Sequence, residues 1–237
     1  MGSTRLPGKV LMELEGKPLL QRVVERVKRA KKIDEIIIAT TKNKEDKKLT
    51  EFAEKLKVKS YAGSEDDVLD RYYQAAKKFG AENIVRITSD CPLIDPEIVD
   101  DIISYYLNND FDYVSNTISP TYPDGLDTEV FSFKALERAW KEADKKFERE
   151  HVTPYINRHP EIFRLHNFEN KEDLSALRWT VDTENDLQFA REIFKRLKEP
   201  FGMKDTLQLL KREPHLLAIN EGLVRNEKFV KEVENER

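Results

Sequence analysis

The residues best suited to chemistry stand at the very start of the chain. Gly2, Ser3, Thr4, Arg5, Gly8 and Lys9 fall together in "GSTRLPGK", before any hydrophobic period begins. Glycines, hydroxyls and two cations so close together suit a loop that holds phosphate. Successive backbone N–H groups form anion-binding nests, Arg5 can grip phosphate oxygens in pairs, and Lys9 supplies a point charge. The P-loop of nucleoside-triphosphatases is excluded. It needs four residues between its glycines and a Ser or Thr after its lysine; here five separate Gly2 from Gly8, and Val10 follows Lys9. The plain alternative for Arg5 and Lys9 is a pair of solvated surface charges.

A second candidate is Asp90, in "NIVRITSDCP". A strand there would end just before it, and in open α/β sheets ligands sit beyond the carboxyl ends of the strands. Its competing role is to cap the next helix, for which Asp95 before Pro96 is better placed. Cys91 reads as a small buried residue rather than a nucleophile. His159, His166 and His215 lack metal-ligand spacing, and Trp140 and Trp179 fit a core or an interface. A single cysteine excludes an intramolecular disulfide and a cysteine-built zinc site.

The elements that would position these residues alternate. "KPLLQRVVERVKRAKK" puts Leu19, Leu20, Val23, Val24 and Val27 at helical spacing, and "DEIIIAT" follows as a buried strand. "KEDKKLTEFAEKLKV" is helical and "KSYAGS" a short strand. The next helix runs from Ser64 as N-cap to Gly80 as C-cap. "ENIVRITSD" is a strand and "DPEIVDDIISYYLNN" a helix with Pro96 in its first turn. This alternation predicts an α/β fold with a largely parallel sheet. Past "FDYVSN" the pattern breaks. "SPTYPDGLDTEVFSF" leads through turns into a strand, "REHVTPYINRHP" is a short helix, "EIFRLHNFEN" and "ALRWTVDT" are strands, and "ENDLQFAREIFKRLK" is a helix. Two or three short helices close the chain.

The chain has 237 residues, enough for one large domain, and we expect a single domain over 1–237 with an inserted β-element. Charged residues make up 36% but nearly cancel to −4, which argues against non-specific nucleic-acid binding. No apolar run reaches membrane-spanning length and no signal-peptide pattern opens the chain, so the expected location is the cytoplasm, with no membrane partner.

Five stretches in order, "GSTRLPGKVL", "RITSDCPLIDPEIVD", "YPDGLDTEVFS", "REHVTPYI" and "RWTVDTENDLQFAREIF", closely resemble the cytidylyltransferases that activate acidic sugars. The resemblance is closest to the spore-coat polysaccharide biosynthesis protein F type and covers essentially the whole chain. It implies a Rossmann-like three-layer nucleotidyltransferase fold with a mostly parallel sheet and a small inserted β-arm that often makes a homodimer. It also implies transfer of CMP from CTP to a sugar, commonly a 2-keto-3-deoxy acid, with Mg²⁺ and release of pyrophosphate. Family members usually open with a strand of the form "IIQAR" directly before the phosphate loop. Met1 stands where that loop begins, so the expectation is that this central strand is missing from the sequence as written.

The resemblance implies roles residue by residue. Gly2, Ser3, Thr4, Arg5 and Lys9, with Thr88 and Ser89, would bind the nucleotide; Arg5, Lys9 and Asp90 would act in catalysis. Asp90 and Asp182 would hold Mg²⁺. Asp182 or Thr183 could instead, or as well, cap the helix that "DTENDL" opens. Asp186 in that helix's first turn favours the helix dipole and is assigned to structure. Tyr122, Asp124, Gly125, Asp127, Glu129, Arg149 and His151 would line the sugar pocket, with Arg149 facing the sugar carboxylate. His151 would orient or deprotonate a hydroxyl, or else is simply a hydrogen-bonded helix histidine. Two other functions remain open at this stage: transfer with another base or acceptor, and a non-catalytic nucleotide- or sugar-binding homologue.

Overall fold

The computed structural model describes residues 5–223 and Arg225. Gly2, Ser3 and Thr4 lie outside the described residues. From Arg5 the chain passes Gly8, whose φ of 72° is the left-handed conformation glycine adopts freely, into a short 3-10 turn at Lys9–Leu11. A tight hairpin, β1 (Glu13–Leu14) with β2 (Lys17–Pro18), then delivers α1 (Leu19–Val27), whose expected apolar stripe is buried.

Next comes a β-α-β unit. β3 (Ile37–Thr41), α2 (Lys47–Lys55) and β4 (Lys59–Gly63) place two parallel strands in register, Ile37 opposite Lys59 through Thr41 opposite Gly63. α3 (Val68–Phe79) ends at Gly80, as expected, but begins three residues later than the sequence implied. Asp67 is its cap and accepts from the Asp70 N–H, while the Ser64 hydroxyl accepts from the Asp67 N–H. A carboxylate one turn further on outcompetes the serine for the helix end.

β5 (Asn83–Arg86) and α4 (Pro96–Leu107) follow, the latter capped by Asp95 as expected. Then come β6 (Tyr113–Ser115), β7 (Glu129–Ser132), α5 (Phe133–Glu142), α6 (Lys146–His151), α7 (Pro154–Asn157) and β8 (Leu165–Asn167). α8 (Glu184–Arg196), α9 (Met203–Arg212) and a 3-10 turn at Pro214–Ile219 complete the described elements.

The fold is α/β. β5, β7, β6 and β8 form one sheet in that order, in which β6 and β8 are parallel and β7 runs antiparallel to both neighbours. The parallel expectation therefore holds for β3–β4 and β6–β8, while the antiparallel strand β7, between β5 and β6, makes the sheet mixed. "RWTVDT" is not a regular strand: among the described residues it forms one isolated β-bridge, Asp124 to Arg178, and otherwise single backbone hydrogen bonds rather than a ladder. Trp179 and Val181 on that segment point into the main core with Leu93, Ile94, Ile102 and Leu126. No helix among the described residues is long and apolar enough to cross a membrane.

Among the described residues no ladder joins β3 to β5. Between them lies an elongated cavity of about 720 Å³, walled by Ile36–Ala39, by Val85–Ser89 and by apolar side chains of α1, α3 and α4. Its far end, at Thr88 and Ser89, is next in sequence to Asp90.

Candidate active site

Lys9 is the centre of the site. The 3-10 turn buries its side chain, only 9% of the residue remaining exposed, and aims the ammonium at three acceptors. Nζ donates to Asp90 Oδ2 at 2.8 Å, Asp182 Oδ1 at 2.9 Å and the Val181 carbonyl at 2.8 Å. Those are all three donors an ammonium has. Arg5 reaches the other Asp182 oxygen, Nη2 to Oδ2 at 3.0 Å, from a more exposed position. The loop and the two aspartates, separated by 81 and 173 residues, thus converge on one point.

The two carboxylates are brought side by side by the backbone. The segment after Trp179 runs past the end of the β5 extension, where the Val181 N–H donates to the Asp90 carbonyl at 2.8 Å. Asp182 then sits directly before α8. The helix is capped by Thr183, whose hydroxyl accepts from the Asp186 N–H, while Asp186 Oδ2 accepts from the backbone N–H groups of Asp182 and Thr183. With the cap supplied by Thr183 and Asp186, the Asp182 carboxylate is left to face Lys9 and Arg5.

Arg178 ties this arrangement to the loop after β6. Its guanidinium is buried and donates to Asp124 Oδ2 (2.8 Å), Asp182 Oδ2 (2.8 Å) and Asp186 Oδ1 (2.9 Å). Arg225 completes the row, with Nη2 donating to Asp127 Oδ1 at 2.6 Å and Nη1 to the Tyr122 carbonyl at 3.2 Å. Gly125 lets the loop after β6 and the Trp179–Thr180 segment close on each other. Its φ is +108°, and a Cβ there would stand 2.5 Å from the Thr180 nitrogen and 2.6 Å from the Trp179 carbonyl carbon.

The electrostatics follow from this packing. Burial alone would weaken the Lys9 charge, but Asp90 and Asp182 outweigh it and raise its pKa above the ordinary lysine value. Burial likewise disfavours the Asp182 carboxylate, yet Lys9, Arg5 and Arg178 hold it below the usual range. Asp127 goes the other way. Its burial and the neighbouring carboxylates of Asp124, Glu129 and Asp90 outweigh Arg225 and push it up to about 7. Cys91 is buried beneath Asp90, its thiol 3.1 Å from the Thr88 hydroxyl and its pKa pushed well up by burial. It is not poised as a nucleophile.

Of the expected site residues, the fold gathers Arg5, Lys9, Asp90, Asp182, Tyr122, Asp124, Gly125 and Asp127 into one connected network. Thr88 and Ser89 border it on the cavity side. Glu129 is buried on β7 and engaged by Arg86, by the Tyr113 hydroxyl (2.7 Å) and by the Thr153 hydroxyl (2.5 Å). Arg149 is paired with Asp67 at the start of α3, Nη2 to Oδ2 at 2.5 Å, and also donates to the Trp140 carbonyl at 2.7 Å. His151 closes α6. Glu129 and Arg149 have their described partners outside the aspartate cluster.

A family model for cytidylyltransferases matches residues 1–223. The chain belongs to the cytidylyltransferase family. It is 42% identical to protein MJ1063 of Methanocaldococcus jannaschii, over 98% of this chain and 95% of that one. It is 32% identical to the spore coat polysaccharide biosynthesis protein SpsF of Bacillus subtilis, over 90% and 92% of the two chains. Among solved structures, a cytidylyltransferase from Leptospira borgpetersenii superposes with a TM-score of 0.90 at 32% identity, covering 95% of each chain.

For a cytidylyltransferase the question is whether these residues suit a divalent metal. Among the described residues no group of three or more His, Cys, Asp or Glu side chains forms a ready-made cage. Mg²⁺ does not require one: it is typically held by one or two carboxylates with substrate phosphates and water completing the shell. Asp90 and Asp182 already bracket one cation, the Lys9 ammonium, so this pair of carboxylates fits that role.

Two residues of the network, Arg178 and Arg225, carry no signal as clear as the loop's. Arg178 stands four residues before Asp182 and eight before Asp186. That spacing is suggestive only once the intervening segment is known to bend into a helix start. Arg225 has no local signature at all.

Proposed function

We propose that this cytidylyltransferase transfers CMP from CTP to an acidic sugar of the 2-keto-3-deoxy type, releasing pyrophosphate, for a surface polysaccharide or glycan. The observation that carries the reading is the convergence of Lys9 and Arg5 on Asp90 and Asp182. Phosphate-binding cations beside a pair of carboxylates suit Mg²⁺-assisted transfer of a nucleotidyl group. The family supports CTP as the donor, and the similarity to SpsF supports a polysaccharide destination.

In the reaction an acceptor hydroxyl oxygen bonds to the α-phosphorus as the bond to the pyrophosphate oxygen breaks. Mg²⁺, when bound, neutralises charge on the phosphates. The chain's own contribution is electrostatic and positional. Arg5 and Lys9 stabilise the negative charge that builds on the leaving pyrophosphate. Asp90 and Asp182 would hold the metal, Asp182 kept ionised by its three cations. Arg178 and Asp186 fix Asp182, and Gly125 allows the Tyr122–Asp127 loop to lie against the site as the acceptor wall.

The test is a pyrophosphate-release assay of CTP, UTP, GTP and ATP, each with Mg²⁺ and a panel of 2-keto-3-deoxy sugar acids and neutral sugars. Release with CTP and a sugar acid alone is expected. Equal rates with UTP or with neutral sugars would overturn the base or the acceptor, and no release by a stably folded chain would favour a binding homologue.

A further inference from the structure

Lys9 stands where a metal held by Asp90 and Asp182 would stand, and this has a consequence for how the metal arrives. All three ammonium donors are engaged, two of them by the candidate metal ligands themselves. Mg²⁺ or Mn²⁺ binds carboxylate oxygen at about 2.0–2.1 Å in a near-octahedral shell. An ammonium 2.8–2.9 Å from the same two oxygens occupies the space such an ion needs. Charge adds to the steric conflict. Asp182 already faces Arg5 at 3.0 Å and Arg178 at 2.8 Å, so a divalent ion entering beside Lys9 would meet three positive groups around one carboxylate.

Building on the cytidylyltransferase reading, we propose that Lys9 and the divalent cation are alternative occupants of the space between Asp90 and Asp182. The ion then binds well only once nucleotide phosphates offer Lys9 a new partner. Lys9 can make that exchange because it sits on the phosphate-facing loop, one residue after Gly8, whose left-handed turn sets the direction of the side chain. Before nucleotide binds, the ammonium prevents repulsion between the two aspartates and holds them at the right spacing. After it binds, the same ammonium faces phosphate and the carboxylates face the metal. Metal and nucleotide affinities are thereby coupled, and the coupling is reciprocal.

The experiment measures Mn²⁺ binding directly, by electron paramagnetic resonance of free Mn²⁺, to the wild-type chain and to Lys9→Met. Each is titrated with Mn²⁺ alone and with Mn²⁺ plus a CTP analogue carrying a non-cleavable α,β-methylene bridge. The wild type should bind Mn²⁺ weakly alone and at least about tenfold more tightly with the analogue, within the usual span of coupling factors. Lys9→Met should bind Mn²⁺ alone about tenfold more tightly than wild type and gain less from the nucleotide than wild type does, each gain taken relative to Mn²⁺ binding by the analogue alone. Mn²⁺ alone should also raise the melting temperature of Lys9→Met more than that of wild type, and Asp182→Asn in the Lys9→Met background should abolish the gain.

Lys9→Gln, which keeps a polar side chain, guards against a folding defect in the methionine variant and should behave alike. Unchanged or weaker Mn²⁺ affinity in both Lys9 variants overturns the proposal. If wild type still turns over CTP, the functional reading survives that result. If neither Mn²⁺ nor the CTP analogue binds the wild type under any condition, the functional reading falls as well.

Discussion

Around Lys9, buried charges of opposite sign are interleaved. Arg178 meets three aspartates, Asp182 meets three cations, and the N–H groups at the start of α8 are taken up by Asp186. Beyond Ser89, along the cavity between β3 and β5, apolar side chains predominate and charges are fewer. Arg71 and Arg86 line it, and each has a buried Nε without a hydrogen-bond partner. The β3 and β5 edges there make no ladder with each other. The site is held together by reciprocal charge pairing, whereas the cavity wall is mostly apolar, with Arg86 there paired to Glu129.

The sharpest way to break the contrast is Arg178→Met. Removing one partner from a buried charge network costs about 3–5 kcal/mol because the remaining charges stay buried. At roughly 2–4 °C per kcal/mol for a domain of this size, the melting temperature should fall by at least 6 °C, read by calorimetry. A change of under 2 °C would mean that the cluster is not the buried network described.

A paired truncation compares core with cavity wall. Ile102→Ala removes a fully buried side chain, with a cost of about 2–5 kcal/mol. Ile38→Ala removes a partly exposed one that lines the cavity, and should cost less than about half as much. Urea unfolding of the two variants measures the difference, and equal losses would remove the distinction between the regions.

Gly125→Ala comes next. The methyl group would collide with the Thr180 and Trp179 backbone at a φ hostile to L-residues, at a cost of about 1–3 kcal/mol. Because the displaced segment carries Asp182, catalytic rate should fall more steeply than stability.

The smallest expected effect is at Asp127. Its carboxyl is raised from the ordinary carboxylate range, which holds for the unfolded chain, to about 7. The native state therefore binds a proton that the unfolded chain releases, and its contribution is full below pH 4 and lost as pH rises through 7. Asp127→Asn removes that dependence. Its stability relative to wild type, read by urea unfolding, should rise between pH 5 and pH 8 by an amount on the order of 1 kcal/mol, offset in part by the lost Arg225 contact.

Much of this was legible in the sequence, for identifiable reasons. The stripe Leu19, Leu20, Val23, Val24, Val27 and the run "IIIAT" place α1 and β3 because burial and periodicity coincide there. Lys9, Asp90 and Asp182 stand out because each sits in a short motif with its own chemistry. The start of α3 was misplaced because Ser64 and Asp67 are both good caps, and only the three-dimensional path selects between them. "RWTVDT" looks like a strand because its alternation is real, with Trp179 and Val181 inside. What it lacks is a ladder of partners, which no local pattern reports. Arg178 went unassigned because its three partners lie on two segments, one of them more than fifty residues away.

The most direct measurement for the central claim is steady-state pyrophosphate release from CTP, with Mg²⁺ and a 2-keto-3-deoxy sugar acid, by wild type and by Asp90→Asn. Asp90→Asn keeps the shape of the side chain and removes the charge shared with Lys9. A rate at least about a hundredfold lower, in a variant that still melts cooperatively, is the result this account predicts; an oriented charge of this kind is typically worth 10²–10³ in rate. Release at the wild-type rate by a folded Asp90→Asn chain would contradict it.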